Sequence, residues 1–143
     1  MSSIEDALGK VPLFSQFSRK DLERLAKGTV THDYASGSVI VKEGDQALGF
    51  FLILSGRAEV VKDAAGANPR VISTLGAGDF FGEMALLDGY LRSASVRAVE
   101  ATKCLMLSRW DFLAELRTSP NIALQMLSVL SRRLREVGST PPA

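Results

Sequence analysis

Histidine, cysteine and tryptophan are almost missing from these 143 residues, with one of each. A single cysteine, Cys104, excludes an internal disulfide and suits a reducing compartment. Cys104 lies in an apolar run, and we predict a buried strand residue rather than a reactive thiol. The one histidine, His32, has no second ligand nearby, and we predict a structural role rather than metal binding.

The sequence also lacks a long apolar run and a dominant charge. No stretch approaches the roughly 18 apolar residues that suggest a membrane span, and residues 1–6 lack the pattern of a signal peptide. We therefore expect a cytoplasmic protein with no membrane span in this chain. With 17 basic and 16 acidic residues, net charge +1, there is no electrostatic reason to expect nucleic acid or an anionic membrane as partner. A compact anionic ligand remains compatible with this charge balance.

Glycine is unevenly distributed: nine of the twelve glycines fall between residues 37 and 89. Glycine at this spacing separates short strands and supplies their turns. The best strands are predicted at residues 39–41, 50–54, 58–62, 71–75, 95–99 and 103–107. Residues 55–56 and 63–68 are predicted hairpin connections. This pattern favours a mainly β fold with flanking helices, a jelly-roll-like antiparallel β-roll over residues 29–108.

Helical signals flank the roll. In the helical start, residues 4–28, Ser18 is a predicted N-cap with Asp21 at N3. We predict C-terminal helices over 109–117, capped by Ser108, and over 120–137, capped by Ser119 with Pro120 at N1, then a tail at 138–143. Together these elements form one predicted domain, residues 1–143. The apolar stripe of the last helix is predicted to be Ile122, Met126, Leu130, Leu134 and Val137.

One segment interrupts the strand series with residues suited to a phosphate. Gly82 lets the backbone approach a ligand, and residues 83–88 can form a short helical turn whose first amides suit an anion. Nine residues after Glu83, the Arg92 guanidinium can hold two phosphate oxygens. Ser93 and Ala94 leave room and offer another amide. Glu83 can accept a hydrogen bond from a ribose hydroxyl.

The run Phe-Gly-Glu-Met-Ala-Leu-Leu, then Arg-Ser-Ala-Ser-Val, resembles the phosphate-binding cassette of cyclic-nucleotide-binding domains, here residues 81–95. That family includes the bacterial catabolite activator, regulatory subunits of cyclic-AMP-dependent kinase and channel gating domains. The likeness is greatest to gating domains of prokaryotic potassium channels. It extends from about residue 12 to residue 137, and implies an eight-stranded β-roll closed by two helices.

The resemblance also implies roles for the site residues. Arg92 would bind the cyclic phosphate, and Glu83 the ribose 2′-hydroxyl. The ligand-binding set implied is Gly82, Glu83, Met84, Ala85, Arg92, Ser93, Ala94 and Arg133. Within it, backbone amides near Gly82, Ala85 and Ala94 would complete the phosphate cradle, and Arg133 would reach the purine from the last helix. Apart from the resemblance, we expect the Met84 side chain to face the core.

The expected ligand is a cyclic 3′,5′-nucleotide, cyclic AMP in preference to cyclic GMP, with cyclic GMP left as the alternative. Ser93 lies where some family members touch guanine, and serine is compatible with both bases. Two partners are predicted: the nucleotide and an unidentified protein effector. In the family's transcription factors a helix-turn-helix follows the last helix, and we expect no DNA-binding element within this chain.

Other interpretations compete with this one. Glu83 and Arg92 could form a surface ion pair, and the arginines at 132, 133 and 135 could form a solvated last helical turn. Trp110 is predicted to pack rather than to stack on a ligand. No nucleophile elbow, metal-ligand spacing or P-loop is present, so we predict no enzyme. The alternative function is a nucleotide-independent protein-interaction module with a vestigial cassette.

Overall fold

The structure, a computed structural model, describes residues 3–138. It contains two compact units, one of residues Gly28–Phe112 and one that combines the chain up to Lys27 with the chain from Leu113 onward. Of the predicted tail, everything after Gly138 lies outside the described residues. That residues 1–143 act as one domain stays a prediction.

The unit Gly28–Phe112 is built on eight antiparallel strands in two sheets, which confirms the predicted fold class. One sheet has the order β1-β8-β3-β6 and the other the order β2-β7-β4-β5. The strands are β1 Thr29–Tyr34, β2 Val39–Val41, β3 Gly49–Ser55, β4 Arg57–Lys62, β5 Arg70–Gly76, β6 Phe80–Phe81, β7 Ser95–Ala98 and β8 Thr102–Ser108.

The core of this unit draws side chains from both sheets. Strand β3 lies between β8 and β6 in its sheet and is buried along most of its length. Cys104 on β8 is fully buried, as predicted, and burial raises the pKa of its thiol to about 11. Its neighbour across the sheet, His32, is exposed on the edge strand β1. The core cluster consists of Phe51, Ile53, Ala58, Val96 and Cys104.

One of the two predicted hairpins is wrong. Strands β4 and β5 pair with each other across the connection at residues 63–68, as a hairpin requires. Strands β3 and β4, in contrast, belong to different sheets, so Ser55-Gly56 carries the chain from one sheet to the other. Gly56 has φ +95, a conformation that suits both kinds of tight connection, so the sequence signal cannot distinguish them.

Two helices begin in this unit. Helix α3, Ala85–Asp88, is one turn long and ends at Gly89 in the left-handed conformation, φ +63. Helix α4, Arg109–Thr118, is capped as predicted, because the Ser108 hydroxyl accepts from the Asp111 amide at 3.1 Å. The packing role predicted for Trp110 is wrong, since its side chain is 64% exposed. Phe112 is the buried aromatic of this turn.

The other unit is helical in all its described elements: α1 Ile4–Gly9, a 3-10 turn Pro12–Phe14, α2 Arg19–Lys27, the end of α4, and α5 Pro120–Val137. Ser18 caps α2 as predicted, and its hydroxyl accepts from the Asp21 amide at 3.1 Å. Ser119 precedes α5, but its side chain makes no cap hydrogen bond within the described chain. Ser119 thus occupies the predicted N-cap position, with Pro120 in the first turn as predicted, but without the side-chain hydrogen bond of a cap.

The predicted apolar stripe of α5 is correct at Ile122 and Met126, is half-buried at Leu130, and is wrong at Leu134 and Val137. Ile122, Met126 and Val129 are buried, whereas Leu134 is 74% and Val137 86% exposed. A ladder of four-residue steps rotates by about 40° per step around a helix of 3.6 residues per turn. Three such steps place Leu134 about 120° from Ile122, off the buried face. The final step of three returns Val137 to within about 20° of Met126, so helix rotation does not account for the exposure of Val137. No helix within residues 3–138 combines the length and apolar composition that crossing a bilayer needs.

Candidate functional site

A cavity of about 390 Å³ opens in the unit Gly28–Phe112, beside the cassette. This volume is in the range of small-ligand sites. Seven of the eight predicted ligand-binding residues line it: Gly82, Glu83, Met84, Ala85, Arg92, Ser93 and Ala94. The remaining lining residues are Val41, Ala47, Val60, Phe80, Phe81, Asp88, Tyr90, Leu91 and Val96.

Arg92 is held at both its backbone and its guanidinium. Its amide donates to the Asp45 carbonyl at 2.8 Å, and its carbonyl accepts from the Gly44 amide at 2.9 Å. Its Nη2 donates to the Gly49 carbonyl at 2.8 Å, and the guanidinium lies 5.8 Å from the centre of the Phe51 ring. Burial lowers the pKa of Arg92, but a guanidinium starts so high that it stays charged at any physiological pH. A fixed cation therefore borders the cavity.

Gly82 makes room for that cation. Its φ is +83, and a Cβ at this position would lie 2.5 Å from Arg92 Nη1 and 2.7 Å from the Gly49 carbonyl oxygen. Both the backbone conformation and the close approach exclude a side chain. Gly82, which was expected to let the backbone approach a ligand, thus also leaves the space that the Arg92 guanidinium occupies.

Glu83 follows directly and lines the same cavity. The residue is half-buried, with its Oε2 atom buried. Arg92 is also half-buried, so both side chains are partly shielded from water. Among the described residues that line the cavity, Arg92 is the one cation, beside the carboxylates of Glu83 and Asp88.

The turn after Glu83 differs from prediction in two details. Met84 is 47% exposed, so the expectation that its side chain faces the core is wrong. Ala85 and Leu86 are the buried residues of the turn, and in a helical turn the position before them points elsewhere. The Ala85 amide donates to the Gly82 carbonyl at 3.1 Å. A phosphate at this amide would therefore have to share or replace that hydrogen bond.

The segment after Arg92 joins the cavity to the sheet. Ser93 is exposed, whereas Ala94 and Ser95 are buried. The Ser95 hydroxyl accepts from the Glu43 amide at 2.9 Å, which ties the end of the cassette to the chain after β2. The small residues therefore serve two purposes, room beside the cavity and attachment to the roll.

Sequence reasoning missed the apolar wall. Val41, Val60 and Val96 come from β2, β4 and β7 and line the cavity. Strand register places them in one row, because Val96 lies opposite both Val41 and Val60. Each is an ordinary strand valine in sequence, and only the pairing of three strands brings them together.

Arg133, the eighth predicted ligand contact, lies on α5 in the other unit. Its contact with a purine stays a prediction. Among residues 3–138, no group of three or more His, Cys, Asp or Glu side chains is arranged to hold a metal ion.

An antiparallel β-roll with a cation, a carboxylate and an apolar wall around one cavity defines a small-ligand-binding domain. The family model described as "Cyclic nucleotide-binding domain" matches residues 31–119. The chain belongs to the cyclic-nucleotide-binding domain family, which confirms the resemblance drawn from the cassette.

Three similar proteins illustrate the relationship. The "Cyclic AMP receptor protein" of Thermus thermophilus is 37% identical over 87% of this chain and 58% of its own length. A "cAMP-dependent protein kinase regulatory subunit" of Schizosaccharomyces pombe is 38% identical over 76% of this chain and 25% of its own. The crystal structure of a cyclic nucleotide-binding domain from Methylobacillus flagellatus has a TM-score of 0.74 and 31% identity, and the match covers 93% of this chain and 77% of that one.

The chain thus spans little more than half of the first relative and a quarter of the second. A Rhodopseudomonas palustris protein named as a potassium channel also matches, at 30% identity over 88% of this chain and 30% of its own length.

Proposed function

We propose that this chain binds a cyclic 3′,5′-nucleotide, cyclic AMP in preference to cyclic GMP, and acts as a regulatory sensor. One observation carries the proposal: Arg92 and Glu83 line a single cavity that also has an apolar wall. A cyclic nucleotide has a matching anion, a ribose hydroxyl and a flat purine. The names of the two curated relatives, both containing cyclic AMP, support the preference for adenine.

Arg92 is the proposed phosphate ligand. The cyclic phosphate carries one negative charge, and a guanidinium offers it two parallel N–H donors. Because Nη2 already donates to the Gly49 carbonyl, the guanidinium is oriented before the ligand arrives. Such preorganisation reduces the entropy lost on binding. The amides near Gly82, Ala85 and Ala94 are the proposed remaining phosphate donors.

Glu83 is the proposed ribose ligand. A carboxylate accepts hydrogen bonds strongly, and the ribose 2′-hydroxyl is a donor that a 2′-deoxy analogue lacks. The half-buried position of Glu83 beside the cavity supports this role, since a hydrogen bond shielded from water discriminates better than an exposed one. Ser93 is proposed to lie near the base, where serine tolerates adenine.

The valine row is the proposed floor for the purine. Val41, Val60 and Val96 present a continuous apolar strip, and burying one face of a purine there removes apolar surface from water. On the opposite face we propose the last helix and Arg133. Ligand binding would then shift the population toward a state with the C-terminal helices closed.

The output is proposed to be regulatory rather than catalytic, in the cytoplasm, through an unidentified protein effector or a linked domain. The proposed ligand contacts are a cation, a carboxylate, amides and valines, and none of these roles requires a nucleophile. We propose that the nucleotide leaves the cavity unchanged.

The test is calorimetric titration of nucleotide-stripped protein with cyclic AMP and cyclic GMP. In Arg92→Ala, loss of the charge-assisted phosphate contact is expected to weaken binding by about 2–5 kcal/mol, roughly 30-fold to several thousand-fold. The matched control is Arg70→Ala, which removes an exposed arginine at the start of β5, away from the cavity lining. It is expected to bind like the wild type.

Micromolar or tighter binding of cyclic AMP, lost in Arg92→Ala and kept in Arg70→Ala, would support the sensor. Failure of folded wild type to bind either nucleotide would overturn it, and the interaction-module alternative would replace it. Tighter binding of cyclic GMP would overturn the base preference alone.

A further inference from the structure

A second cavity, here called the β2–α4 cavity, opens in the unit Gly28–Phe112. Its volume is about 400 Å³, close to the 390 Å³ of the cassette cavity and in the range of small-ligand sites. Val41 and Arg92 line both cavities, and the rest of its lining comes from β2, the chain before β3, β3, β8 and the start of α4. The cavity therefore borders the cassette but has walls of its own.

The inner wall of the β2–α4 cavity is apolar. It is formed by Phe51, a member of the core cluster, and by Ile40 and Met106, which pack against that cluster. A methionine thioether is flexible and polarisable, so it adapts to an aromatic ring placed against it. This wall offers apolar surface on which a flat ring can be buried.

The outer part of the cavity has large apolar side chains that water reaches. Leu48 is 44% and Trp110 64% exposed, and both line the cavity. The Arg109 guanidinium lies 5.9 Å from the centre of the Trp110 ring, a cation–π contact that restrains the indole. Exposed apolar side chains that are grouped around a concavity are typical of a binding site, whereas single ones are ordinary. A ligand here would cover both side chains.

The charges around the cavity favour an anion. Among its described lining residues, Lys42 and Arg92 are cations and Asp45 is the carboxylate. Arg92 is held by the Gly49 carbonyl and stays charged, and the exposed Lys42 side chain is long enough to follow an acidic group at the surface. The balance of one positive charge matches a ligand with a single negative charge.

We propose that the β2–α4 cavity is a second ligand site, which binds a small planar aromatic molecule with one carboxylate. The ring lies against the apolar wall and is covered by Leu48 and Trp110, and the carboxylate faces Lys42. The proposal rests on this cavity and not on the proposed cyclic-nucleotide function. Because Arg92 borders both cavities, the two ligands are expected to weaken each other by less than tenfold.

The test uses the one tryptophan of the chain, whose indole N–H gives a single nuclear magnetic resonance signal at this cavity. The full chain is titrated with 2-naphthoate and with neutral 2-naphthylmethanol. We expect 2-naphthoate to shift the indole signal saturably, with a dissociation constant of about 1 mM or lower, from the ligand efficiency of small molecules. The alcohol is expected to bind about threefold more weakly.

Two variants separate the apolar and the charged contributions. Leu48→Asn is expected to weaken both probes about fivefold, because it removes apolar surface that the ring covers. Lys42→Gln is expected to weaken 2-naphthoate about threefold and to leave the alcohol unchanged. The matched controls, Val30→Asn and Lys103→Gln, change exposed residues of β1 and β8 that do not line the cavity, and both are expected to bind like the wild type.

Absence of a saturable indole shift would overturn the proposal, as would equal affinities of wild type and Leu48→Asn. An indole signal that moves with protein concentration alone would overturn it in favour of a second copy of the chain on this surface. Complete displacement of 2-naphthoate by saturating cyclic AMP would assign the probe to the cassette cavity and also overturn it. If the wild type binds no nucleotide, the proposed function fails, and the probe titrations still decide whether the β2–α4 cavity is a site.

Discussion

The core cluster and the cassette cavity lie in the same unit, but the buried side chains have different roles in the two regions. The core surrounds Ile53 and Cys104 with apolar groups, and burial there keeps the thiol neutral by raising its pKa. The cassette holds Arg92 half-buried and charged, with a carbonyl and a ring as neighbours. Both groups are desolvated, but only the guanidinium faces a cavity. The core therefore supplies stability, and under the proposed function the cassette keeps a cation available for a ligand.

The largest expected effect is a loss of stability from a core substitution that leaves ligand affinity nearly unchanged. Ile53 is 1% exposed and does not line the cavity. Ile53→Ala is expected to lower the free energy of unfolding by about 2–5 kcal/mol, through lost burial and a residual cavity, and to leave the cyclic-AMP affinity of folded protein within about twofold. Urea unfolding and calorimetry measure the two quantities. An affinity loss comparable to that of Arg92→Ala would contradict the separation between a stabilising core and a ligand-binding cavity.

The next prediction tests whether the backbone conformation at Gly82 is needed to hold the Arg92 guanidinium in place. In Gly82→Ala, a Cβ meets Arg92 and the Gly49 carbonyl at positive φ, so we expect about 1–3 kcal/mol of destabilisation and at least tenfold weaker binding. Gly78→Ala is the matched control, because Gly78 has φ +91 with nothing within 4 Å of the added Cβ.

The control is expected to lose about 1 kcal/mol of stability through strain alone and no affinity. Thermal unfolding and titration of both variants provide the measurement. Equal losses of affinity in the two glycine variants would show that strain in the loops, rather than displacement of Arg92, determines binding.

The smallest effect concerns pH and sharpens the description of the core. The pKa of Cys104 rises on folding from 9.0 to about 11, so the native state favours the protonated thiol. This contribution is fully present below about pH 9 and is lost as the pH rises through 11, and the loss between pH 8 and pH 10.5 is roughly 2 kcal/mol.

Urea unfolding at pH 8 and at pH 10.5 measures it in the wild type and in Cys104→Ala. The wild type is expected to lose more stability between these two pH values than the alanine variant does. Burial raises the pKa of Tyr34 as well, and the charge of the Cys104 thiolate adds to that shift. The part due to burial is common to both proteins and cancels, whereas the part due to Cys104 belongs to the difference that is measured. An equal loss in the two proteins would contradict a thiol kept neutral by the core.

Several features were accessible from the sequence because they depend on neighbours along the chain. Ser18 and Ser108 cap helices through the amide three residues later, and that geometry is encoded in a few residues. Gly82, Glu83 and Arg92 fall within eleven residues, and a single loop brings them to one cavity. The family assignment followed from this short segment.

Other features were misread because they depend on distant parts of the chain. A turn signal at Ser55-Gly56 does not reveal that β4 joins the other sheet. The buried face of α5 depends on what covers the helix, so the periodic stripe failed at Leu134 and Val137. Met84 and Trp110 are apolar, but their solvent-exposed positions are set by the helical turns in which they lie.

The sequence by itself determined the strand-rich roll, its flanking helices and the residues of the cassette, since φ preferences, caps and turns act over a few residues. Only the tertiary structure decided which carbonyl orients Arg92, a partner 43 residues away in the chain. It likewise decided that Val41, Val60 and Val96 form one row. Strand register and sheet membership arise from contacts between segments far apart, whose free energies no local pattern contains.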